Sequence, residues 1–398
     1  MKSSEAIAFF TKSGKLYRKT LLEDVVPFWM RHALDPESGA INNVLDDEGH
    51  LLSRDRFLWS QGRALWTFSA LDNRVEQRQE WLDVANGLYR YLSSHGRDDR
   101  GRYMYRLDAD GNVLERDISI YVDGFVFNGL GEYYRATGSE DAARLALDIY
   151  ENTRNRLRTS DYGIAPYVLP EGMKALGIRL IFSSFFDNLG IALNRPEIRK
   201  EGYAYARELL SDFYVPEKKA VLEFVSLDGK FVNTPQTRIC VPGHVIEACW
   251  FLISIFEDTN DPQLIRQCCD LIKRHLELGW DAEYGGIRLA LDIEGREPVH
   301  WKNPEAKAWW VQVEALVATA YAYLHTGADW CVEWHEKVQE YCYAHYPVPT
   351  GEWTQWLDRQ GHKTESAGLP VKDPFHLPRG LIYLMDLCER RIPQSPPK

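Results

Sequence analysis

Four segments of the chain repeat one turn pattern, and this repeat restricts the fold more than any other feature. In each segment two glycines are separated by nine residues, with Leu-Asp at the same offset between them: 39–49, 101–111, 285–295 and 351–361. A shorter version, Leu227-Asp228-Gly229, lies between the second and third segments, and a degenerate member is expected at 162–172. Self-similarity at a fixed period is the signature of a repeat architecture. The spacing therefore indicates six units of roughly 60 to 66 residues.

Each unit combines a tight turn with two helical patterns. The Asp and Gly residues of the turns, flanked by short runs such as 103–105 and 287–289, predict small β-hairpins. Between the turns, apolar spacing predicts two helices each time, for example 57–71 with 80–94, and 304–325 with 329–345. Six such pairs predict an all-α fold, a closed (α/α)6 barrel (toroid) with the short β-hairpins at one mouth. No linker divides the chain, so we expect a single domain over residues 1–398.

Composition excludes several functions. The chain has 47 Lys and Arg against 58 Asp and Glu, a net charge of −11, and no basic block. Because nucleic acids and anionic membranes are bound by positive patches, neither is an expected partner. No apolar run approaches the ~20 residues that a membrane-spanning helix requires.

The cysteines and the N-terminal residues predict a location. The seven cysteines are odd in number and form no C-x-x-C pair, so we expect reduced, buried thiols in a reducing compartment. The apolar run at residues 6–10 is shorter than the core of a signal peptide, which spans ~7 to 15 residues. We therefore expect a cytoplasmic protein.

Single charged residues interrupt four of the more apolar helices. The helix after each hairpin is the more apolar of its pair, so it is expected to line the inside of the ring. Arg63, Asp123, Glu247 and Glu314 stand on four of these helices. Burial of an unpaired charge is costly, so each of them must be paired or face a wet central cavity. Their number favours the cavity, with ion pairs between inner helices as the alternative.

Two histidines occupy matched positions at the starts of inner helices. Pro242 suits a first helical position, which places His244 in the first turn. Glu247 follows three residues later on the same face, where a carboxylate can orient the imidazole. His376 begins the last apolar helix in the same way, so both imidazoles are expected at one mouth of the ring. No third nitrogen or sulfur ligand has metal spacing and no phosphate-binding loop is present, so neither a metal nor a nucleotide cofactor is expected.

Four motifs, in this order and at these separations, carry a resemblance over nearly the whole chain. They are Trp59-Ser60-Gln61-Gly62-Arg63, Pro242-Gly243-His244 continuing to Trp250, Lys307-Ala308-Trp309-Trp310 continuing to Glu314, and Phe375-His376-Leu377-Pro378-Arg379. The chain resembles the N-acylglucosamine 2-epimerase family of (α/α)6 barrels. The resemblance implies epimerisation at C2 of N-acetylglucosamine or N-acetylmannosamine, with relatives that act on mannose, sulfoquinovose or cellobiose. It also implies a small aldose as the partner, no cofactor, and a homodimer.

The resemblance assigns roles to individual residues. It makes His244 and His376 the acid/base pair and Arg63 the residue that holds developing charge, while Glu247 and Glu314 orient the histidines and the sugar. Contacts to the sugar are expected from the aromatic and polar side chains of the motifs and inner helices: Tyr121, Asp123, Arg179, Trp250, Trp309, Trp310 and Arg379.

The chemistry supports this assignment. Epimerisation at C2 of an open-chain aldose removes a proton next to the carbonyl, and histidine, which titrates near ~6.5, suits that task. A base on one face and an acid on the other invert the centre, and the enediolate oxygen needs a fixed cation such as Arg63. If the proton returns to C1 instead, the product is a ketose. An aldose–ketose isomerase of the mannose or sulfoquinovose type, using the same residues, is therefore the alternative.

Two departures from relatives stand out, and two further classes stay open. The third inner helix, about 173–193, lacks the histidine of the cellobiose, mannose and sulfoquinovose enzymes and carries Arg179, either a contact to a substrate anion or part of an ion pair within the wall. The segment Lys372-Asp373-Pro374 replaces the small residues expected before His376. A glycoside hydrolase needs two carboxylates ~5 to 9.5 Å apart, and Glu247 and Glu314 are the candidates for such a pair. A catalytically silent sugar-binding barrel is the fourth hypothesis.

Overall fold

The computed structural model describes residues 3–299, 301–364 and 371–394, and it confirms the predicted all-α (α/α)6 barrel. Four π-helical segments, Thr20–Val25, Leu71–Val75, Leu209–Phe213 and Leu387–Arg391, extend helices of the ring. The helices are α1 (Ser3–Lys19), α2 (Val26–His32), α3 (Leu58–Ala70), α4 (Gln79–Ser94), α5 (Tyr121–Thr137), α6 (Glu140–Thr159), α7 (Leu176–Ala192), α8 (Pro196–Glu208), α9 (Pro242–Asp258), α10 (Pro262–Gly279), α11 (Trp309–Thr326), α12 (Asp329–His345), α13 (His376–Asp386) and α14 (Ile392–Gln394).

The helix that follows each turn forms the inner ring, as the sequence predicts. Helices α3, α5, α7, α9, α11 and α13 each contact the next, and α13 returns to α3 to close the circle. The outer helices α4, α6, α8, α10 and α12 pack against their inner partners, and α1 packs against α13. Helix α9 is buried on nearly all sides, as expected for a helix that is apolar all round.

Two glycines allow the backbones of α3 and α5 to touch. A Cβ atom on Gly129 would lie 2.5 Å from the carbonyl oxygen of Gly62, and one on Gly62 would lie 2.8 Å from the backbone of Phe125. Because only glycine fits at such an approach, the two helices cross more closely than larger residues would permit. This crossing brings Arg63, the next residue, to within 4.1 Å of the Phe125 ring.

Short strands gather at the starts of the inner helices. The pairs are all antiparallel: β1 (Val44–Leu45) with β2 (Leu51–Ser53), β4 (Arg106–Leu107) with both β3 (Arg56–Phe57) and β5 (Val113–Glu115), β6 (Met173–Ala175) with β9 (Phe224–Ser226), β7 (Tyr214–Val215) with β8 (Ala220–Val221), β10 (Ile239–Cys240) with β11 (Leu291–Asp292), and β12 (Lys307–Ala308) with β13 (Trp356–Leu357). Strands β3, β6, β10 and β12 each run directly into an inner helix, so the small sheets hold the helix starts at one mouth.

The predicted hairpins are correct for only some of the turns. The turns closed by Gly49 and Gly111 join local hairpins, and Leu357 forms an antiparallel bridge with Lys363 across the Gly361 turn. By contrast, β11 pairs with the distant strand that precedes α9, and β13 also pairs with the distant strand that precedes α11. Unpaired backbone groups at those helix starts need partners, and a neighbouring unit supplies them. The turn chemistry itself is confirmed. Gly295 and Gly361 have φ of +74° and +91°, and their N–H groups bond the carbonyls of the preceding Asp292 and Asp358.

Two inner helices begin later than the sequence predicts. The helix expected from residue 304 begins at Trp309, because Lys307–Ala308 forms β12, and the one expected from about 173 begins at Leu176, because Met173–Ala175 forms β6. Period-2 and helical spacing are hard to tell apart over such short apolar runs. In the part of the chain that the structure describes, no helix combines the length and apolar character needed to cross a membrane.

Candidate active site

A cavity of about 860 Å³ opens at the mouth where the inner helices begin. Broad ring faces and a few polar groups form its walls, a combination that suits the apolar faces and hydroxyl groups of a sugar. The aromatic residues are Trp59, Tyr121, Phe125, Tyr167, Phe224, Trp301, Trp309, Trp310, Trp356 and Phe375. The titratable groups, apart from tyrosine, are Arg63, Glu171, Glu223, His244, Glu247, Lys302, Asp373 and His376.

His244 is held by a carboxylate from a different segment than expected. Pro242 opens α9, and the His244 imidazole in the first turn lines the cavity. Its Nδ1 lies 3.1 Å from both carboxylate oxygens of Glu223, to which it donates. The expectation that Glu247 orients this ring is wrong. Burial disfavours the charged imidazole, but the Glu223 charge and hydrogen bond outweigh it and raise the pKa of His244.

His376 is held by a second carboxylate and has the opposite electrostatic bias. It is the first residue of α13, and its Nδ1 lies 2.8 Å from Oε1 of Glu314. Burial, together with the guanidinium groups of Arg63 and Arg379, lowers the pKa of His376 despite the opposing charge of Glu247. The resting site therefore favours a neutral His376 beside a protonated His244.

The two imidazoles meet at one indole. The ring centroid of Trp310 lies 5.2 Å from that of His244, nearly parallel, and 5.6 Å from that of His376. Both imidazoles line the same cavity. Because each Nδ1 is engaged by a carboxylate, Nε2 is the nitrogen that each ring has available for a ligand.

Glu247 and Glu314 converge on Arg379 behind the histidines. Nη2 of Arg379 lies 2.5 Å from Oε1 of each carboxylate. Glu247 lines the cavity, whereas Glu314 and Arg379 are buried behind its wall. The two carboxylates lie close enough to His376 to resemble a metal site, but the guanidinium already occupies the point between them. They also do not face each other across the cavity, so this pair lacks the arrangement of a glycoside hydrolase.

Several residues expected to contact a sugar lie elsewhere. Asp123 is buried and accepts from Nη1 of Arg156 over 2.6 Å, away from the cavity lining; burial raises its pKa to about 7 although Arg156 opposes this. Arg179 pairs with Glu208 at 2.7 Å, which is the wall ion pair among the two expected roles. These expectations fail because an outer helix supplies each partner, and apolar spacing along an inner helix does not indicate which outer-helix residue faces its charge.

Two other expected contacts stand one layer behind the cavity, and three line it. The Trp250 indole donates to Oε2 of Glu314 over 2.8 Å, so this side chain positions a carboxylate rather than meeting a ligand. Arg379 lies in the same layer, where it neutralises carboxylates instead of reaching the cavity. The expected contacts that line the cavity are Tyr121, Trp309 and Trp310.

Arg63 lines the cavity but its charge is already paired. Nη1 donates to Oδ2 of Asp373 over 2.8 Å. Three rings surround the guanidinium, with its carbon 5.0 Å from the Trp59 centroid, 4.1 Å from that of Phe125 and 5.0 Å from that of Phe375. Arg63 therefore presents hydrogen-bond donors to the cavity with much of its positive charge offset.

Sequence reasoning missed Glu223 as a partner of His244. A signal was present, since Glu223 is the one charged residue in the otherwise apolar run 220–225. It lies between β8 and β9, in a segment whose backbone bonds residues 176 and 239 at the starts of two inner helices. The sequence marks Asp373 only as a departure from the small residues expected there. It does not reveal the contact with Arg63, which lies 310 positions away.

Comparisons with known proteins agree on one family. A family model described as N-acylglucosamine 2-epimerase matches residues 39–176 and 197–378. The chain is 27% identical to rat (Rattus norvegicus) N-acylglucosamine 2-epimerase over 384 residues, covering 93% of this chain and 89% of that protein. It is 32% identical to cellobiose 2-epimerase of Bacteroides fragilis over 395 residues, covering 92% and 97%. The solved cellobiose 2-epimerase of Bacillus thermoamylovorans shares the fold, with a TM-score of 0.82 at 20% identity over 94% of this chain and 99% of that one.

Proposed function

Because the chain belongs to the N-acylglucosamine 2-epimerase family and is thus an isomerase that acts on carbohydrates, we propose that it interconverts C2 epimers of an aldose, N-acetylglucosamine and N-acetylmannosamine, without a cofactor. One observation carries the proposal: two imidazoles line a single cavity, and a carboxylate holds each of them through Nδ1. The absence of a histidine on α7 fits the N-acylhexosamine members rather than the cellobiose and mannose enzymes.

The reaction needs one proton to leave C2 and another to arrive on the opposite face. Nε2 of the neutral His376 accepts the C2 proton as the C–H electron pair moves toward the C1 carbonyl, which gives an enolate with its negative charge on the C1 oxygen. Nε2–H of the protonated His244 then returns a proton to C2 from the other side. The two rings have exchanged protonation states, and proton exchange with water restores them before the next turnover in the same direction. The pKa directions of the resting site match this division of roles.

The remaining polar groups orient the two rings and the sugar. Glu223 and Glu314 hold each imidazole in the tautomer that exposes Nε2. Arg63 supplies donors to the enolate oxygen, but because Asp373 offsets its charge, the protonated His244 carries more of the electrostatic stabilisation. Trp309, Trp310 and Tyr121 offer ring faces for the sugar.

The proposed proton transfers predict that Glu223→Gln changes the pH dependence of kcat/KM. In the unmodified enzyme kcat/KM falls as pH rises through the pKa of His244, which Glu223 raises. Glutamine cannot stabilise the imidazolium by charge, so the alkaline limb is expected to move to lower pH while the acid limb, set by His376, stays in place. The pH profiles of kcat/KM test this. Glu336→Gln, which changes an exposed carboxylate on α12 outside the cavity, is the matched control and should leave both limbs unchanged.

Proton NMR in deuterated buffer tests the proposed reaction. Incubation with N-acetylmannosamine or N-acetylglucosamine is expected to give the other epimer with deuterium at C2. In separate incubations, a ketose formed from an aldose without an N-acetyl group would instead establish the isomerase reaction. Cleavage of a glycoside would establish a hydrolase. Either result, or no reaction with any aldose, overturns the proposal.

We further propose a cytoplasmic homodimer that has no nucleic-acid or membrane partner. All seven cysteines are buried without disulfides, which suits a reducing compartment. The net charge of −11 disfavours polyanionic partners. Light scattering on the purified chain measures the oligomeric state directly.

A further inference from the structure

Asp373 places an unsatisfied acceptor in the wall of the cavity. The residue is 7% exposed, and its Oδ1 is buried without a hydrogen-bond partner. Its other oxygen accepts from Arg63 over 2.8 Å and from Ser60 over 3.4 Å. A buried carboxylate oxygen left without a donor is costly, and a carboxylate on the wall of a cavity can obtain that donor from a ligand.

The backbone around Asp373 holds this acceptor in place. The Thr67 hydroxyl donates to the carbonyl oxygen of Pro374, and the N–H of Lys372 donates to the carbonyl oxygen of Asn43 over 2.8 Å. Nζ of Lys372 turns away from the cavity to Asp47, 2.8 Å from Oδ1. The carboxylate is therefore a preorganised feature of the wall rather than a side chain that folds in from a loop.

Deep in the cavity, the charged side chains already have partners of opposite charge. Among the described lining residues, each buried carboxylate or imidazole has a partner: Asp373 with Arg63, Glu247 with Arg379, and Glu223 with His244. Lys302, the other lining cation in the described part of the chain, is exposed at the rim. An anionic substituent at depth would thus meet carboxylates and no unpaired cation.

We infer that Asp373 is a substrate-specificity residue: its carboxylate accepts a hydrogen bond from a hydroxyl or amide N–H of a neutral sugar, and by pairing with Arg63 it leaves no free cation deep in the cavity for the phosphate, sulfonate or carboxylate group of an anionic sugar. The inference rests on the proposed function only in taking the ligand to be a sugar. It assigns a role to one residue of the segment 372–374, where small residues are expected from the resemblance to this family.

Binding titrations with a neutral sugar and its anionic counterpart test the inference. N-acetylglucosamine and N-acetylglucosamine 6-phosphate are titrated calorimetrically into the unmodified protein, Asp373→Asn and Asp373→Gly. The unmodified protein is expected to prefer the neutral sugar at least about ten-fold, and Asp373→Asn to weaken neutral binding about ten-fold, as for a lost hydrogen bond to a charged group. Asp373→Gly frees Arg63, so it is expected to gain affinity for the phosphate, a result that misfolding cannot produce.

Glu336→Gln is again the matched control, because it removes one exposed carboxylate from α12, outside the cavity. Its preference for the neutral sugar should change less than two-fold. An unchanged neutral-to-anionic ratio in both Asp373 variants, equal affinity of the unmodified protein for the two sugars, or no binding of a neutral sugar each overturns the inference. Binding without turnover would contradict the proposed function alone, so the two failures are distinguishable.

Discussion

Replacing His376 by alanine is expected to lower kcat for C2 epimerisation by about 10²- to 10⁴-fold, and His244→Ala by a similar factor. Each variant removes one of the two groups that exchange protons with C2, and the remaining imidazole cannot reach both faces. Each ring contacts Trp310 at the cavity wall, so its loss enlarges an open cavity rather than leaving a void in the core. Both variants should therefore fold and keep sugar affinity within a few-fold.

Initial rates of epimer formation measure kcat, and circular-dichroism melting measures the stability of the fold. The control is His362→Ala, because His362 is exposed outside the cavity and should have no effect on either. Removal of both histidines should cost no more than about ten-fold beyond the worse single variant, since the pair acts as a unit. Retention of wild-type kcat in either single variant contradicts the acid/base assignment.

Arg379→Met is expected to lower the free energy of unfolding by about 3 to 5 kcal/mol, the cost of breaking a buried ion pair by removing one partner. The guanidinium is 4% exposed and contacts the carboxylates of Glu247 and Glu314 at 2.5 Å each. Methionine fills much of the volume between the rings of Trp250 and Phe375 but leaves two buried carboxylates without a cation. The sequence resemblance placed this arginine against the sugar, whereas its position predicts mainly a structural effect.

Urea unfolding at several pH values tests this expectation. Burial raises the pKa of Glu314, and in the variant Arg379 no longer opposes this, so the protonated, low-pH form of the variant is the more stable one. The loss in free energy of unfolding caused by Arg379→Met should therefore become smaller as pH falls and larger as pH rises. Arg144→Met, which removes an exposed ion pair with Asp141 on α6, should stay within measurement error. A deficit for Arg379→Met that is small and independent of pH would show that the buried carboxylates have other partners.

The helical ring and the positions of the catalytic candidates could be predicted because local rules determine them. Left-handed glycines set the turn period, apolar spacing marks the inner helices, and proline at a first helical position places His244 in the first turn. The errors fall where short apolar runs support either a strand or a helix, as at Lys307–Ala308.

The partners of the charged residues could not be predicted in the same way. Asp123, Arg179 and Arg63 give the same sequence signal, a single charge on an apolar inner helix. In the structure Asp123 and Arg179 pair with residues of outer helices, whereas Arg63 lines the cavity. Local spacing reports which face of a helix is apolar, but it does not report which neighbour reaches that face. The register between inner and outer helices decides this.

By itself the sequence determined the six-unit ring, the inner and outer helices, and two histidines at the starts of α9 and α13. Only the tertiary structure decided which carboxylates hold them, because Glu223 and His244 are 21 positions apart and His376 and Glu314 are 62 apart. The physical reason is that dihedral preferences and helical periodicity act within a few residues. Pairing of buried charges depends instead on distances that exist only once the ring has closed.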